Sequence, residues 1–189
     1  VPAGRARPSW GWRMSPGDLE ARAQRIKLVC TDVDGVLTDG SLHFPGDGSH
    51  TKVFHVRDGA GIVALQRQGI RVAFISGLES ASTRDRAKHL GVEDCFTGHL
   101  VKGPVLEALC AKYGIGPEAV AHVGDDLPDL PLLRQVGLAC CPADAVPEVQ
   151  AACHWVVPVP GGRGVLRAVA ERILKAQGSW EGVVASHGG

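Results

Sequence analysis

The 189-residue sequence contains no long hydrophobic run and no excess of charge of either sign. No apolar stretch approaches the about 20 residues that a transmembrane helix needs, so we expect no membrane partner. Lys and Arg together number 20, as do Asp and Glu, a balance that gives no global attraction to nucleic acid. Aromatic residues make up only 5% of the chain, too few for an aromatic-rich recognition surface. What remains is a composition typical of globular proteins, with 44% hydrophobic and 21% charged residues.

Signals for secretion or disulfide formation are also missing from the sequence. The N-terminus lacks the apolar core of a signal peptide, and the six cysteines form no Cys-x-x-Cys pair. Most of the cysteines lie in apolar contexts, which favours buried, reduced thiols over disulfides or a zinc site. We therefore expect a cytoplasmic protein with a flexible tail and short helix at 1–25, one domain at 26–178 and a C-terminal tail at 179–189.

Hydrophobic runs and turn residues predict an alternation of strands and helices along most of the chain. The predicted strands lie at 27–33, 71–75, within 92–97, and at 119–123, 138–141 and 155–157. The predicted helices lie at 15–25, 59–68, 79–90, 103–113, 130–136 and 165–176. This alternation is typical of an α/β fold with a Rossmann-like, mostly parallel sheet that is flanked by helices.

Residues 40–57 interrupt the alternation and predict a β-hairpin insertion. Two short apolar segments, 41–44 and 51–56, flank Pro45-Gly46-Asp47-Gly48, which is a strong turn signal. A two-stranded hairpin is marginal alone, so its apolar residues need a partner, either other subunits or the chain's own sheet. These residues are Leu42, Phe44, Val53 and Val56.

Polar residues follow the predicted strands at the edge where ligands bind in parallel sheets. They are Asp32, Asp34, Ser76, Gly77, Lys102, Asp125, Asp126 and Asp129. Two neighbouring carboxylates repel each other unless a cation relieves them, and Mg²⁺ is the simplest relief. Acids, a Lys and a Ser together suit a phosphoryl group bridged to Mg²⁺, and a carboxylate is also a competent nucleophile toward phosphorus. Singly, each residue is commonly a cap, a turn or a surface charge, and the ordered set is the informative feature.

The order of these motifs resembles the haloacid dehalogenase superfamily of phosphatases. The matching motifs are D-V-D-G-V at 32–36, Ser76-Gly77, Lys102 and G-D-D-L-P-D at 124–129. The longer string D-V-D-G-V-L-T-D-G at 32–40 is similar to the cap-less subgroup of 3-deoxy-D-manno-octulosonate 8-phosphate (KDO 8-phosphate) phosphatases. Three further segments share that similarity, R-D-G at 57–59, V-G-D-D at 123–126 and G-G-R-G at 161–164. The resemblance covers roughly 26–178 and implies that the hairpin insertion stands in place of a cap domain.

The resemblance implies a role for each of the central residues. Asp32 would be the nucleophile that forms an aspartyl phosphate, and Asp34 the general acid and then the general base. Mg²⁺ would be held by the Asp32 carboxylate, the Asp34 backbone carbonyl and Asp125. Ser76, with nearby backbone N–H groups, would hold the phosphoryl oxygens, and Lys102 would balance the negative charge.

Supporting and substrate-binding roles follow from the same resemblance. Asp129 and Asp126 would position Lys102 or metal-bound water. The sugar acid phosphate would contact the residues that match the subgroup's substrate-binding stretch, namely His55, Val56, Arg57, Asp58, Gly59, Gly77 and Arg86. Arg163 matches a loop that reaches a neighbouring subunit's site, and the resemblance points to a homotetramer with shared active sites. The chain departs from the subgroup at Leu78 and Val63, where relatives often have basic residues.

Three alternatives remain open beside the octulosonate 8-phosphate. Phosphatases of nine-carbon sugar acid 9-phosphates also lack the basic residue at the Leu78 position, but their counterparts of Arg57 and Arg163 are often not Arg. A non-catalytic oligomerisation module of a cytidylyltransferase would not need to keep Asp32 and Lys102. A receiver domain carries its acid pair and its phosphorylated Asp on separate strands, unlike the D-V-D motif here.

Overall fold

Six parallel strands form a single sheet at the centre of the structure, a computed structural model that describes residues 15–46 and 48–186. The strands are β1 (Leu28–Thr31), β2 (Arg71–Ile75), β3 (Asp94–Phe96), β4 (Val120–Val123), β5 (Leu138–Cys141) and β6 (Trp155–Val156). Their order across the sheet is β3-β2-β1-β4-β5-β6, and every neighbouring pair is parallel. The predicted α/β fold is confirmed, and β1 lies between β2 and β4 at the centre of the sheet.

Eight α-helices connect and flank these strands in the described part of the chain. They are α1 (Pro16–Ala23), α2 (Val56–Arg67), α3 (Ala81–Leu90), α4 (Gly103–Tyr113), α5 (Leu130–Leu133), α6 (Pro147–Ala152), α7 (Val165–Ala176) and α8 (Trp180–Ala185). None of them has the length and apolar character needed to cross a membrane.

Each face of the sheet is covered by its own hydrophobic cluster, because successive strand side chains point to opposite faces. Val29 and Phe74 pack on the face that carries α2 and α7, with residues such as Ile62, Leu65, Val169 and Ile173. Cys30 and Ile75 pack on the other face against α4 and α5, with Leu106, Leu109, Leu132 and Leu133. Burial on both faces explains why the central strands are almost entirely apolar, and it leaves the strand ends for polar chemistry.

The predicted hairpin insertion forms less regular structure than we expected. Among the described residues of the insertion, the two arms meet in a single antiparallel bridge between His43 and Thr51, and no strand forms on either side of it. Phe44 and Val53 are 71% and 68% exposed, so little burial stabilises further pairing within the subunit. The predicted turn residue Asp47 lies outside the described residues.

Several predicted boundaries need correction. Helix α2 begins at Val56 rather than at residue 59, because the His55 side chain accepts a hydrogen bond from the backbone N–H of Arg57 and caps the helix. The prediction omitted α6, although Pro147 at its start is a common helix-initiating residue. Residues 179–189, expected to be a tail, include α8, which packs Trp180 against the core. The N-terminal tail lies outside the described residues as far as position 14.

Candidate active site

Three carboxylates converge at the carboxyl ends of β1 and β4. Strand β1 ends at Thr31, and the backbone N–H of Asp32 extends the ladder by donating to the carbonyl of Val123, 2.8 Å away. Asp125 and Asp129 follow β4, and one oxygen of each of these three Asp side chains lies within 4.8 Å of the others. The parallel pairing of β1 and β4 therefore joins two segments that are distant in the sequence.

Two glycines allow the backbone to approach these carboxylates. Gly35 has a φ of 87°, and a Cβ there would lie 2.0 Å from Asp125 Oδ2. A Cβ on Gly124 would lie 2.3 Å from Asp129 Cγ. A side chain at either position would push a carboxylate out of the cluster, so both glycines are required by the site itself.

Lys102 supplies a buried positive charge to the cluster. Its Nζ lies 3.1 Å from Asp32 Oδ2 and 2.7 Å from Asp129 Oδ1, and its side chain is 1% exposed. Burial alone would lower the pKa of this ammonium, but the charges of Asp32 and Asp129 outweigh burial and raise it. Lys102 therefore remains protonated and offsets the charge of the nucleophile candidate.

The surroundings of the three carboxylates shift their pKa values in different directions. Burial, followed by the charge of Asp129, raises the pKa of Asp32 to about 7. Burial, followed by the charges of Asp32 and Asp129, raises the pKa of Asp125 to about 8. Burial also disfavours the charged form of Asp129, but hydrogen bonds and charges from His122 and Lys102 lower its pKa to about 2. Lys102 alone therefore does not offset the burial and mutual repulsion of Asp32 and Asp125, and a divalent cation bound between them would favour their ionised forms.

The donor set of the cluster fits a divalent cation with a preference for oxygen. Asp125 Oδ1 is buried and has no hydrogen-bond partner within the described residues. Asp129, in contrast, already accepts from Lys102, His122 and the backbone N–H of Asp125. The oxygen of the cluster that is left without a partner therefore belongs to Asp125, while Asp32 Oδ1 accepts from the backbone N–H of Val33 at 2.7 Å and Asp32 Oδ2 faces Lys102. Hard carboxylate ligands such as these suit Mg²⁺.

Asp34 faces a different set of partners from Asp32. Its Oδ2 accepts from Lys52 Nζ at 2.8 Å and from Ser76 Oγ at 3.4 Å. Ser76 Oγ also lies 3.2 Å from the carbonyl of Leu78, in the turn that follows β2. The two acids of the D-V-D motif therefore occupy distinct environments, although they are only two residues apart in the sequence. Such a difference is required if one acid is the nucleophile and the other is the proton donor.

Sequence reasoning missed two residues that contact the predicted set. Lys52, in the insertion, pairs with Asp34, and no local pattern in its segment distinguishes it from a surface lysine. His122 is fully buried, and its Nε2 lies 2.8 Å from Asp129 Oδ1. A polar residue inside the apolar strand β4 was a signal that could have identified His122.

Five of the predicted substrate-binding residues form one structural unit at the start of α2. His55 caps that helix, while Val56 and Arg57 are exposed. Asp58 is buried, and its Oδ1 accepts from the backbone N–H of Arg167 at 3.0 Å, so its carboxylate also stabilises the start of α7. A Cβ on Gly59 would lie 2.5 Å from Nη2 of Arg86, which packs across this glycine.

The remaining predicted residues lie around the cluster. Arg163 is exposed in the glycine-rich loop, which packs on the segment after β1 through a 2.9 Å hydrogen bond from the Gly162 N–H to the Val36 carbonyl. Gly77 lies against Leu100 at the end of β2. Asp126 is exposed and accepts from the backbone N–H of Leu127 at 2.8 Å, so it caps a turn outside the carboxylate cluster. Within the described residues, the side chains of Asp126 and Arg163 form no hydrogen bond or ion pair with the three clustered acids. Gly77 has no side chain that could do so.

The fold and the site define a class of protein that a comparison with family models also finds. Residues 94–169 match the model for haloacid dehalogenase-like hydrolases. This match contains Lys102, Asp125 and Asp129, and the D-V-D motif lies before it in the sequence, directly after the central strand β1. The class defined by the fold and the site is therefore that of the haloacid dehalogenase-like hydrolases.

Closely similar proteins narrow the class. The chain is 41% identical over 165 residues to the 3-deoxy-D-manno-octulosonate 8-phosphate phosphatase KdsC of Yersinia pestis. This alignment covers 87% of this chain and 88% of the Yersinia pestis protein. The structure of the corresponding phosphatase of Moraxella catarrhalis was solved with magnesium, phosphate and KDO, and it superposes on this chain with a TM-score of 0.89. The two sequences are 36% identical, and the superposition covers 92% of this chain and 99% of the Moraxella catarrhalis chain. The cobalt-bound enzyme of Haemophilus influenzae gives a TM-score of 0.81 at 42% sequence identity. This superposition covers 83% of this chain and 92% of the Haemophilus influenzae chain. The chain belongs to the KdsC family of phosphatases.

Proposed function

We propose that this protein hydrolyses KDO 8-phosphate to KDO and phosphate through an aspartyl phosphate on Asp32. The observation that carries the proposal is the cluster of Asp32, Asp125 and Asp129 around the buried Lys102 ammonium. The choice of substrate is supported by the names of the relatives, since the similar enzymes from Yersinia pestis and Moraxella catarrhalis are KDO 8-phosphate phosphatases.

In the first step, a carboxylate oxygen of Asp32 attacks phosphorus, and the bond between phosphorus and the sugar oxygen breaks. Asp34 gives a proton to the departing sugar oxygen, which makes the alcohol a better leaving group. Lys102, 3.1 Å from Asp32, offsets the charge that builds up on the transferring group. Ser76 donates to a phosphoryl oxygen. Asp32, the Asp34 carbonyl and Asp125 would hold Mg²⁺, which would further neutralise the phosphoryl charge.

In the second step, Asp34 takes a proton from water as the water oxygen attacks the phosphorus of the aspartyl phosphate. The bond between Asp32 and phosphorus breaks, and phosphate leaves. Asp34 thus acts as acid and then as base. Asp129 does not react: it accepts from both Lys102 and His122 and so fixes the ammonium in place.

The sugar acid would be recognised at the rim of the site by the segment from His55 to Gly59, with Arg86, and by Arg163. Arg57 and Arg163 are exposed, as groups that meet a soluble substrate or a second subunit need to be. Leu78 is 37% exposed beside Ser76, so it offers the carboxylate of the sugar acid no cation at that point.

We also propose that the enzyme is a homotetramer whose insertions cover neighbouring sites. The support is the apolar surface of the insertion, where Phe44 is 71% exposed and Val53 is 68% exposed. A cap that excludes water strengthens the electrostatic interactions of a phosphoryl-transfer site, and this chain has no cap domain of its own among the described residues.

A cytoplasmic location is supported by the free state of all six cysteines, as expected in a reducing compartment.

Phosphate release from a panel of substrates tests the proposed function. The panel contains KDO 8-phosphate, two nine-carbon sugar acid 9-phosphates and an aryl phosphate, each with Mg²⁺ and with excess chelator. We expect the highest kcat/KM with KDO 8-phosphate and no turnover with chelator. Asp32→Asn should abolish turnover and keep the fold. Undiminished activity of that variant, or with chelator, would contradict the mechanism, and a preference for a nine-carbon substrate would contradict the assignment.

A further inference from the structure

Lys52 is a buried ammonium that the reaction described above does not use. Among the described residues of 41–53, it is the only buried one, although the rest of this insertion is largely exposed. Its side chain is 0% exposed, whereas the Asp34 side chain that it contacts is 26% exposed. Burial of a lysine costs free energy unless a partner compensates it, so this inward orientation needs an explanation.

The contacts of Lys52 fix it from two sides. Its Nζ lies 2.8 Å from Asp34 Oδ2 and 3.2 Å from Thr83 Oγ1. Thr83 is itself fully buried in the first turn of α3, where its backbone N–H donates to Ser80 Oγ at 3.3 Å. The ammonium is therefore held between a rigid helix start and the D-V-D motif.

This arrangement leaves the two oxygens of Asp34 unequal. Oδ2 is occupied by Lys52 and Ser76, while Oδ1 is buried and has no hydrogen-bond partner within the described residues. Rotation of a carboxylate about its last torsion is otherwise broad, and the two oxygens would exchange places. A fixed ammonium on Oδ2 prevents this exchange and holds the carboxylate in one orientation.

We propose that Lys52 is a positioning residue for proton transfer, which fixes the orientation of the Asp34 carboxylate that protonates the sugar oxygen. This inference rests on the proposed function, in which the electron pair of the breaking phosphorus–oxygen bond goes to the sugar oxygen and the proton of Asp34 follows it. It also gives the insertion a chemical role, since the segment that replaces a cap supplies a cation to the proton donor.

Leaving groups of different basicity separate positioning from a merely structural role. An alkyl ester such as KDO 8-phosphate needs a proton as the alcohol departs, whereas p-nitrophenolate departs without one. The measured quantity is kcat/KM, because it covers only the steps up to loss of the alcohol and excludes the later attack of water. The variant is Lys52→Met, which keeps the length of the side chain and removes its charge.

We expect Lys52→Met to lower kcat/KM for KDO 8-phosphate by about 100-fold, the usual contribution of a general acid, and for p-nitrophenyl phosphate by less than about threefold. The matched control is Lys112→Met, which removes an ammonium paired with Asp94 at 2.7 Å in a side chain that is 50% exposed. That control should leave both values unchanged. Equal losses for the two esters, or no loss for either, would overturn the inference.

Two further measurements keep the test decisive. If Lys52→Met does not fold, Thr83→Val removes one support of the ammonium and should cause a smaller loss with the same selectivity for the alkyl ester; an unselective loss would overturn the inference. Turnover by the wild type distinguishes a failure of the proposed substrate from a failure of the proposed role of Lys52. If the wild type cleaves another primary alkyl phosphate but not KDO 8-phosphate, the assigned substrate is wrong and the Lys52 comparison is made on that ester. Absence of all phosphatase activity would overturn both.

Discussion

Replacement of Lys102 by Met tests the charge balance of the active site most directly. The variant keeps most of the apolar stem and removes the ammonium that lies 3.1 Å from Asp32 and 2.7 Å from Asp129. Removal of one partner from a buried ion pair costs about 3–5 kcal/mol of stability, because the other charge is left uncompensated. The pKa of Asp32 is already raised to about 7 with Lys102 present, and without it the ionised nucleophile becomes scarcer at neutral pH.

The loss of the ammonium should lower kcat/KM by at least about 100-fold, or about 2.7 kcal/mol of transition-state stabilisation. Phosphate release at saturating Mg²⁺ measures this effect. A second readout identifies its cause: with one positive charge fewer, the carboxylates should gain more from a divalent cation. The rise in Tm on addition of Mg²⁺ should therefore be larger for Lys102→Met than for the wild type.

Lys175→Met is the control for this experiment, because Lys175 lies in an exposed i,i+4 pair with Glu171. Such pairs contribute about 0.5 kcal/mol or less, so activity and Tm should hardly change. A loss of less than about threefold in kcat/KM for Lys102→Met would mean that its ammonium does not balance the reacting charges. An unchanged effect of Mg²⁺ on Tm would attribute the loss to packing and refute the electrostatic reasoning.

Three further predictions concern metal, substrate and assembly. Since the pKa values of Asp32 and Asp125 are raised to about 7 and 8, the metal-free folded state binds more protons than the unfolded state between about pH 4 and 8. Its Tm should therefore fall as pH rises through that window, and Mg²⁺ should reduce the fall; a metal-free Tm that rises there would contradict the shifts. Leu78→Arg should lower KM for KDO 8-phosphate by adding a cation for the carboxylate, and an unchanged or higher KM would mean that the family pattern was misapplied. Phe44→Asp should dissociate the tetramer in sedimentation experiments and lower activity, whereas a fully active wild-type monomer would refute shared sites.

The central chemistry was predictable because it depends on a general property of parallel sheets. Apolar runs identify the strands, and the carboxyl ends of parallel strands converge at one edge, so Asp32, Lys102 and Asp125 could be placed together from their positions after separate runs. The structure brings these residues within contact of one another or of Asp129. The family motifs add roles to these residues, but their proximity follows from the topology.

The contributions of Lys52 and the outcome for the insertion could not be predicted in the same way. Two short segments on either side of a turn signal predicted two strands there. Strand pairing also needs a surface to pack on, and the described contacts within one subunit provide only the His43–Thr51 bridge. The inward orientation of Lys52 depends on Asp34 and Thr83, which lie far from it in sequence. Local periodicity carries no information about such a tertiary ion pair.

The pairing of β1 with β4 has a consequence for the order in which the protein matures. The acids on these two strands are separated by almost half of the chain, and β4 is added to the central strand only after α2, β2, α3, β3 and α4 have been synthesised. A nascent chain that has emerged from the ribosome only as far as β3 contains Asp32 but not Lys102, Asp125 or Asp129. If Asp32 and Asp125 hold the metal as proposed, affinity for it arises late in synthesis, and a truncated product that ends before Asp125 would lack one of the two carboxylates.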